Sequence, residues 1–148
     1  MNLLRNAAVA LTVLLAGAVF AHAEDINWLT DHAAAVKASQ EQKKPLFLFF
    51  TGSDWCGWCK KLVAEVLTKD EFKAYASKNL IMLEVDFPRG KSQSREVKAQ
   101  NQKLQDQYQI EGYPTVVLLD PAGTQKGGMG YMPGGPKAFI AEVEKVLK

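Results

Sequence analysis

The sequence predicts an α/β protein whose central mixed β-sheet is flanked by helices on both faces. Helical and strand patterns alternate along the chain and end in a strand pair followed by a helix, which is typical of layered α/β domains. Residues 46–50 also form a continuous apolar run, as expected for a central strand that is buried on both faces. A length of 148 residues favours a single domain.

The first predicted elements lead into that central strand. A helix is expected over residues 28–44, with Thr30 or Asp31 as its N-cap and Pro45 as its stop. The strand over residues 46–50 follows directly. The apolar stripe of the helix would comprise Trp28, Leu29, Ala33 and Val36, with Ala34 as a further candidate.

A turn and a helix are predicted after the strand. Residues 51–54 are small and polar, which favours a turn, and the helix should begin near Cys56. Residues 68–71, Thr-Lys-Asp-Glu, match a capping box that would start a second helix, or mark a bend after which the first helix resumes. The next strand is expected over residues 80–87, because Pro88 ends the apolar pattern.

The second half of the chain continues the alternation. A polar, basic loop over residues 89–95 is followed by helical spacing, and Asp120–Gly123 reads as a β-turn between two strands. Residues 133–136 contain two prolines and predict a break. The expected elements are a helix over 96–108, strands over 116–119 and 125–132, and a final helix over 137–148.

The N-terminal segment reads as a signal peptide over residues 1–23, which leaves a mature domain over residues 24–148. A short positive start precedes an apolar stretch, and Ala21-His22-Ala23 matches a small-x-small cleavage site. An uncleaved anchor is the alternative, but the apolar stretch is shorter than the ~20 residues of a bilayer span. The protein is therefore expected to be periplasmic or secreted.

Composition excludes some classes of function. The formal net charge of +2 gives no reason to expect a nucleic-acid partner. Only two cysteines are present, Cys56 and Cys59, too few to staple a fold of this size in the manner of small secreted scaffolds. They are better suited to a reactive site.

The Cys-x-x-Cys pair predicts thiol–disulfide chemistry. A thiolate is the reactive form, and a free thiol with a pKa of about 8.5 is mostly protonated at neutral pH. A helix that starts at Cys56 would stabilise that thiolate through its positive N-terminus. Cys56 is therefore expected to attack, and Cys59, one turn further on and more buried, to resolve the mixed disulfide. Lys60 and Lys61 point away from the sulfurs and are assigned to solubility or partner contacts.

Other sites could use the same cysteines. A purely structural disulfide would close a very short loop and constrain little. Zinc needs four ligands, and the mature chain adds only His32 to the two cysteines. Met129 and Met132 could join the cysteines around Cu(I), a soft ion. A copper-delivery module is therefore an alternative to an enzyme, and a redox-inert interaction domain is a third.

Two motifs resemble the thioredoxin-like superfamily, and in particular its secreted single-domain members. Residues 55–60 read Trp-Cys-Gly-Trp-Cys-Lys, which is similar to the family's Trp-Cys-Gly-x-Cys-Lys. Residues 108–115 match its Tyr-x-Ile-x-Gly-x-Pro-Thr segment. The likeness covers about residues 46–148. It implies a thioredoxin-like fold and a thiol–disulfide oxidoreductase that uses a reversible Cys56–Cys59 bond.

The resemblance also implies further site residues and partners. Pro114 would be the family's cis-proline, with Tyr113 before it, lying against the cysteines. The alternative is a trans proline that simply starts an edge strand. No cofactor or metal is expected. The partners would be protein disulfides or dithiols and a membrane or soluble protein that recycles the cysteines, with the chain itself a monomer. The expected substrate-binding residues are Trp55, Gly57, Trp58, Tyr113 and Pro114.

Two departures from the family pattern affect the chemistry. Trp58 stands where thioredoxins carry proline, so the reduction potential cannot be carried over. Phe50 stands where many thioredoxins have a buried acid that relays a proton to the second cysteine. Asp54, Glu84 or water could take over that relay. A reductase is the first hypothesis for the direction of electron flow. A disulfide isomerase or oxidase on the same site is the alternative.

Overall fold

A mixed sheet of five strands forms the centre of the molecule. The computed structural model describes residues 25–148, so the predicted signal peptide over residues 1–23 lies outside the described residues. The strands are β1 Trp28–Leu29, β2 Leu46–Thr51, β3 Ile81–Asp86, β4 Thr115–Leu119 and β5 Gln125–Met129. Their order in the sheet is β1-β3-β2-β4-β5, with β2 parallel to β3 and antiparallel to β4.

Helices cover both faces of the sheet, which confirms the predicted class. A π-helical segment, Val63–Leu67, continues the second helix without a break. Within residues 25–148, no helix combines the length and apolar character that crossing a membrane requires. The helices are α1 His32–Gln42, α2 Gly57–Leu62, α3 Asp70–Asn79, α4 Arg95–Gln107 and α5 Gly135–Leu147.

The central strand β2 divides the core into two halves. All six of its residues are buried, and successive side chains of a strand point to opposite faces. Phe47 and Phe49 enter a cysteine-side core, where both cysteines pack with α2, α3 and α5. Leu48 and Phe50 enter an opposite core against α1 and α4. Burying each such side chain stabilises the fold by roughly 1.5–3 kcal/mol, so the strand that precedes the cysteines is firmly held.

The predicted first helix is wrong at its start and in part of its stripe, although Val36 packs against the opposite core as expected. Trp28–Leu29 is a strand that pairs with β3, because the extended backbone lets the indole pack beside Phe47 and Phe49. The helix begins at His32, and Asp31 is its N-cap as predicted, accepting a hydrogen bond from the N–H of Ala34. Ala33 is exposed, and the buried positions of α1 are Ala35 and Ser39.

The predicted capping box over residues 68–71 is also wrong. The Thr68 hydroxyl donates to the Val63 carbonyl oxygen over 2.9 Å instead of capping the next helix. The Thr68 N–H donates to the same oxygen. The π-helical segment thus uses Thr68 to close its own end, and α3 begins after Lys69 with no side-chain cap.

The last two elements differ from prediction in length. Strand β5 ends at Met129 instead of residue 132. Helix α5 begins at Gly135 instead of residue 137, so the predicted break is partly helical. Pro136 lies in the first turn of α5, where its fixed φ suits a helix and its missing N–H would have no partner. Gly134, with φ of 110°, makes the turn before it.

Candidate active site

A tight turn between β2 and α2 presents the cysteines. The N–H groups of Trp55 and Cys56 both donate to the Gly52 carbonyl oxygen, over 3.2 and 2.8 Å. A Cβ atom at Gly52 would overlap the Trp55 ring. Only glycine at this position lets the indole fold back over the turn.

Cys56 and Cys59 form a disulfide at the start of α2. Their Cα atoms are 5.2 Å apart, within the usual span of such bonds. Cys56 is the N-cap of the helix. The Cys59 N–H donates a hydrogen bond to Cys56 Sγ over 3.2 Å. Cys56 is 6% exposed and Cys59 is 1% exposed, so Cys56 is the sulfur that a second protein can reach more easily.

Trp55 is held on several sides. Its indole N–H donates to the Phe87 carbonyl oxygen over 2.8 Å. Its ring meets Tyr113 edge to face, with the ring centroids 5.9 Å apart. The Arg89 guanidinium carbon lies 3.9 Å from the indole centroid. Trp55 therefore anchors the cysteine turn to the loop after β3 and to the loop before β4.

Two carboxylates strengthen that anchoring. Asp54 accepts hydrogen bonds from the N–H groups of Arg89 and Gly90, and these donors lower the pKa of its carboxyl because they stabilise the charged form. Asp86, at the end of β3, accepts bonds from the N–H and the hydroxyl of Ser53 over 2.9 and 2.6 Å. The loop that carries Arg89 is thus fixed against the cysteine turn.

The segment before β4 reaches the same place. The Tyr113–Pro114 peptide bond is cis, and Pro114 is buried. Thr115 pairs with Phe50 at the end of β2, which brings Pro114 beside the cysteine turn. A Cβ atom at Gly130 would lie 3.4 Å from the Pro114 carbonyl oxygen, so the loop after β5 passes along the other side of Pro114.

Trp58 has a different environment from Trp55. It is 57% exposed, and its ring centroid lies 5.1 Å from that of Tyr131, in the loop after β5. The Lys61 ammonium lies 4.9 Å from the Trp58 centroid and 5.0 Å from the Tyr131 centroid. The Tyr131 hydroxyl donates to Glu65 over 2.6 Å, which raises the pKa of that phenol. We call Trp58, Tyr131 and Lys61 the aromatic platform.

The predicted substrate-binding residues therefore fall into different settings. Trp58 is open to solvent, whereas Trp55, Tyr113 and Pro114 form the packed surround of the disulfide. Gly57 is exposed, with no atom within 4 Å of where its Cβ would be. Tyr131 and Arg89 were missed by sequence reasoning, because no local spacing connects either residue with the cysteines. Lys61, assigned to solubility or partner contacts, lies over the two rings of the platform.

A cavity lies beside Cys59. It has a volume of about 260 Å³ and is lined by Cys59, Lys60 and Glu84 among others. Burial, and secondarily the nearby Asp86, raises the pKa of the Glu84 carboxyl. Phe50 points into the opposite core against Tyr108. Asp54 and Glu84 were the two carboxyl groups that could replace the missing acid at position 50. Glu84 shares a cavity with Cys59, whereas Asp54 binds the N–H groups of the surface loop at Arg89 and Gly90.

The alternative metal ligands are distributed differently. Within residues 25–148, no three His, Cys, Asp or Glu side chains form a group that could hold a metal ion. His32 lines a cavity with α4 residues such as Leu104, which belongs to the opposite core, so the sheet separates it from the cysteines. Met129 and Met132 pack against the cysteine-side core.

Comparisons with known proteins agree with this geometry. A family model described as thioredoxin-like matches residues 27–121. The chain is 42% identical over 126 residues to the disulfide bond reductase DsbH of Chlamydia pneumoniae, covering 85% of this chain and 75% of that protein. It is 32% identical over 96 residues to the thioredoxin-related protein DsbJ of the same organism, covering 65% of this chain and 28% of that protein.

Solved structures give the same result. A structure of a DsbH oxidoreductase superposes with a TM-score of 0.81 at 37% identity and covers 97% of this chain and 94% of that chain. A thioredoxin from Thermus thermophilus has a TM-score of 0.62 at 16% identity, with coverages of 84% and 88%, and supports the fold alone. The fold, the disulfide at the turn and these relatives place the chain in the thioredoxin-like family, among its thiol–disulfide oxidoreductases.

Proposed function

We propose that this protein is a protein-disulfide reductase of the cell envelope. The observation that carries the proposal is the Cys56–Cys59 disulfide, with Cys56 the more exposed sulfur at the start of a helix. The relative with 42% identity is named a disulfide bond reductase, which supports this direction of electron flow. Substrate proteins would meet Cys56 between Trp58 on one side and Pro114 on the other.

The reaction begins with the reduced protein. The Cys56 thiolate attacks one sulfur of a substrate disulfide, and the other substrate sulfur leaves as a thiolate that takes a proton from water. The Cys59 thiol then loses its proton and attacks Cys56 Sγ. This step forms the Cys56–Cys59 disulfide and releases the second substrate thiolate, which is also protonated. The substrate gains two electrons and the enzyme loses two.

Glu84 is the group that we propose accepts the Cys59 proton. Both residues line the same cavity, which has room for a bridging water. A raised pKa makes the Glu84 carboxylate a stronger base than an ordinary one. The same shift means that the base form of Glu84 appears at a higher pH than that of an ordinary glutamate.

The catalytic cycle requires a second protein. A dithiol protein is proposed to reduce the Cys56–Cys59 bond after each turnover, because the reaction leaves these two cysteines oxidised. We place both in an oxidising compartment, on the strength of the predicted signal peptide over residues 1–23. Expression of the full chain followed by cell fractionation tests this location. Mass spectrometry should find the mature N-terminus at Glu24, and an uncleaved cytosolic product would contradict it.

Insulin reduction tests the activity. The wild-type protein with a dithiol donor should reduce insulin, and Cys56→Ser should abolish the reaction. The matched variant Cys59→Ser should accumulate a mixed disulfide, since Cys56 can still attack. Equal turnover by wild type and Cys56→Ser would refute the proposal. A reduction potential near roughly −270 mV supports a reductase, and one near roughly −120 mV would indicate an oxidase.

The proton step has its own test. Stopped-flow measurement of mixed-disulfide resolution should show a rate that rises with pH as Glu84 ionises. Glu84→Gln should remove that rise and slow resolution by about 100-fold, as loss of a general base does. Asp54→Asn is the matched comparison. If Asp54→Asn removes the pH dependence and Glu84→Gln does not, Asp54 is the base and the assignment of Glu84 is wrong.

A further inference from the structure

We propose that the aromatic platform selects substrates, favouring polypeptide segments in which an aromatic or large aliphatic residue is next to the disulfide-bonded cysteine and an acidic residue is near it. This inference rests on the proposed reductase function and adds the chemistry of the substrate. Its evidence lies in the exposure, the rigidity and the charge of the surface formed by Trp58, Tyr131 and Lys61.

Exposure is the first observation. Trp58 is the one large hydrophobic side chain classed as exposed within residues 25–148, at 57%. It lies between the two cysteines in the sequence, so whatever approaches Cys56 also approaches its indole. Tryptophan is enriched among the residues that dominate binding energy at protein interfaces. An apolar substrate side chain would cover this ring while the sulfurs react.

Rigidity is the second observation. The Trp58 ring is supported by Tyr131, whose hydroxyl is fixed by Glu65 over 2.6 Å. Lys61 lies over both rings and 4.0 Å from Glu65. A surface that is already ordered loses little conformational entropy when a ligand binds. These four side chains therefore form a preorganised site rather than a loose exposed ring.

The platform is also next to the path of the substrate. Tyr131 follows Gly130, whose Cβ position lies 3.4 Å from the Pro114 carbonyl oxygen. The loop that carries Tyr131 thus runs from Pro114 to Trp58. A substrate strand that lies along Pro114 and reaches Cys56 would place the side chain beside its cysteine on the two rings.

Charge is the third observation. The cations near the disulfide are exposed, whereas the nearest acids are engaged internally. Asp54 accepts the N–H groups of Arg89 and Gly90, and Glu65 accepts the Tyr131 hydroxyl. A carboxylate on the substrate would therefore meet positive groups, and a lysine would be repelled. The exposed cations are Lys60, Lys61, Arg89 and Lys91.

Four disulfide-linked peptides test the proposal. Each peptide has either Phe or Ser next to its disulfide-bonded cysteine and either Glu or Lys at a second, nearby position. The four peptides cover all combinations of these two choices. The readout is the ratio of kcat/KM values within one enzyme, so that any change in reduction potential cancels. Wild type should reduce the Phe peptides about tenfold faster than the Ser peptides, since one apolar group in a pocket discriminates by about 10-fold or more.

Variants then assign the preference to residues. Trp58→Ala and, separately, Tyr131→Ala should bring the Phe-to-Ser ratio below about twofold, from the tenfold discrimination expected of one apolar contact. Lys61→Met should reduce the Glu-to-Lys ratio and retain most of the Phe-to-Ser ratio. Lys126→Met, an exposed lysine on β5, is the matched control and should change neither ratio.

The outcomes are separable. Equal kcat/KM values for all four peptides in wild type, or ratios that survive both Trp58→Ala and Tyr131→Ala, would overturn the proposed selectivity while the reductase function stands. Failure of wild type to reduce hydroxyethyl disulfide, which has no side chains to recognise, would refute the function and this inference with it. Concentration-dependent dimerisation that Trp58→Ala abolishes, together with equal peptide rates, would show that a second copy covers the platform.

Discussion

Two tryptophans lie on either side of Cys56 and have opposite surroundings. Trp55 donates its indole N–H to Phe87, meets Tyr113 at its edge and lies over Gly52. Trp58 is 57% exposed and touches the fold mainly through Tyr131. Each ring carries a cation, Arg89 on Trp55 and Lys61 on Trp58.

The difference shows how one short motif separates two tasks. Trp55 holds the turn in place, and its removal should unfold the surround of the disulfide. Trp58 adds little to the fold, so its exposed ring is available to a substrate. Both residues were expected to bind substrate, and that expectation stays a prediction; we propose that Trp58 makes the direct contact, because its ring is 57% exposed. Four sets of variants test this difference, in order of decreasing expected effect. They change the two tryptophans, the glycines of the turn, the hydrogen bond of Tyr131 and the two cations.

Stability should separate the two rings most strongly. Trp55→Ala should lower the free energy of unfolding by about 3 kcal/mol, because it leaves a cavity and orphans the Phe87 carbonyl. Trp58→Ala should lower it by only about 1 kcal/mol, because the contacts that it loses, to Lys61 and Tyr131, lie at an exposed site. Urea unfolding of the oxidised proteins measures both. Similar losses for the two variants would remove the distinction.

The shape of the turn should matter next. Gly52→Ala should destabilise the protein by about 1–3 kcal/mol, because its new methyl group would clash with the Trp55 ring. Gly57→Ala is the matched control, since nothing occupies the space near its Cβ. It should be neutral or stabilising by up to about 1 kcal/mol. A neutral Gly52→Ala would mean that Trp55 moves aside easily.

Titration should distinguish the tyrosine partners of the rings. The pKa of Tyr131 is raised chiefly by its hydrogen bond to Glu65, and that of Tyr113 by burial. Glu65→Gln should therefore lower the pKa of Tyr131 and leave the pKa of Tyr113 unchanged. The signal is tyrosinate absorbance from pH 8 upward, with Tyr131→Phe identifying the group. A change in the pKa of Tyr113 instead would show that Glu65 acts on Tyr113 and not on Tyr131.

The sign of the pH effect follows from the direction of the shift. Because the folded-state pKa of Tyr131 is raised, its contribution to stability is fully present below the unfolded pKa of about 10. That contribution is lost as the pH rises through the folded pKa. In Glu65→Gln this contribution should be smaller, and its loss should be complete at a lower pH than in wild type, because the folded pKa lies closer to the unfolded one.

The two cations should give the smallest effects. Arg89→Met and Lys61→Met each remove a cation from a ring that solvent can reach, which costs about 0.5–1 kcal/mol at exposed sites. Arg89→Met should have the larger effect, because its ring is part of the anchored turn. Lys126→Met is the matched control and should have none. Urea unfolding at low and high salt measures all three, and equal losses in the control would show a general charge effect.

The sequence by itself determined the parts of this protein that depend on near neighbours. Cys56 and Cys59 are close enough to bond whatever the rest of the chain does. The apolar run over residues 46–50 could only be buried, and Asp31 could cap a helix three residues away. The class of fold, the reactive pair and the segment around Pro114 were therefore predictable. Local spacing, and a match to a known family, carry that information.

Tertiary structure decided the contacts between residues far apart in the chain. Trp28 is extended because its backbone pairs with β3 and its ring packs against Phe47. Thr68 donates its hydroxyl hydrogen to Val63, in the π-helical segment that precedes it. Glu84 shares a cavity with Cys59 only because β3 lies beside β2. Tyr131 meets Trp58 only because β5 pairs with β4 and returns the chain past Pro114. Such contacts leave no periodic pattern, since sheet pairing alone sets which residues meet.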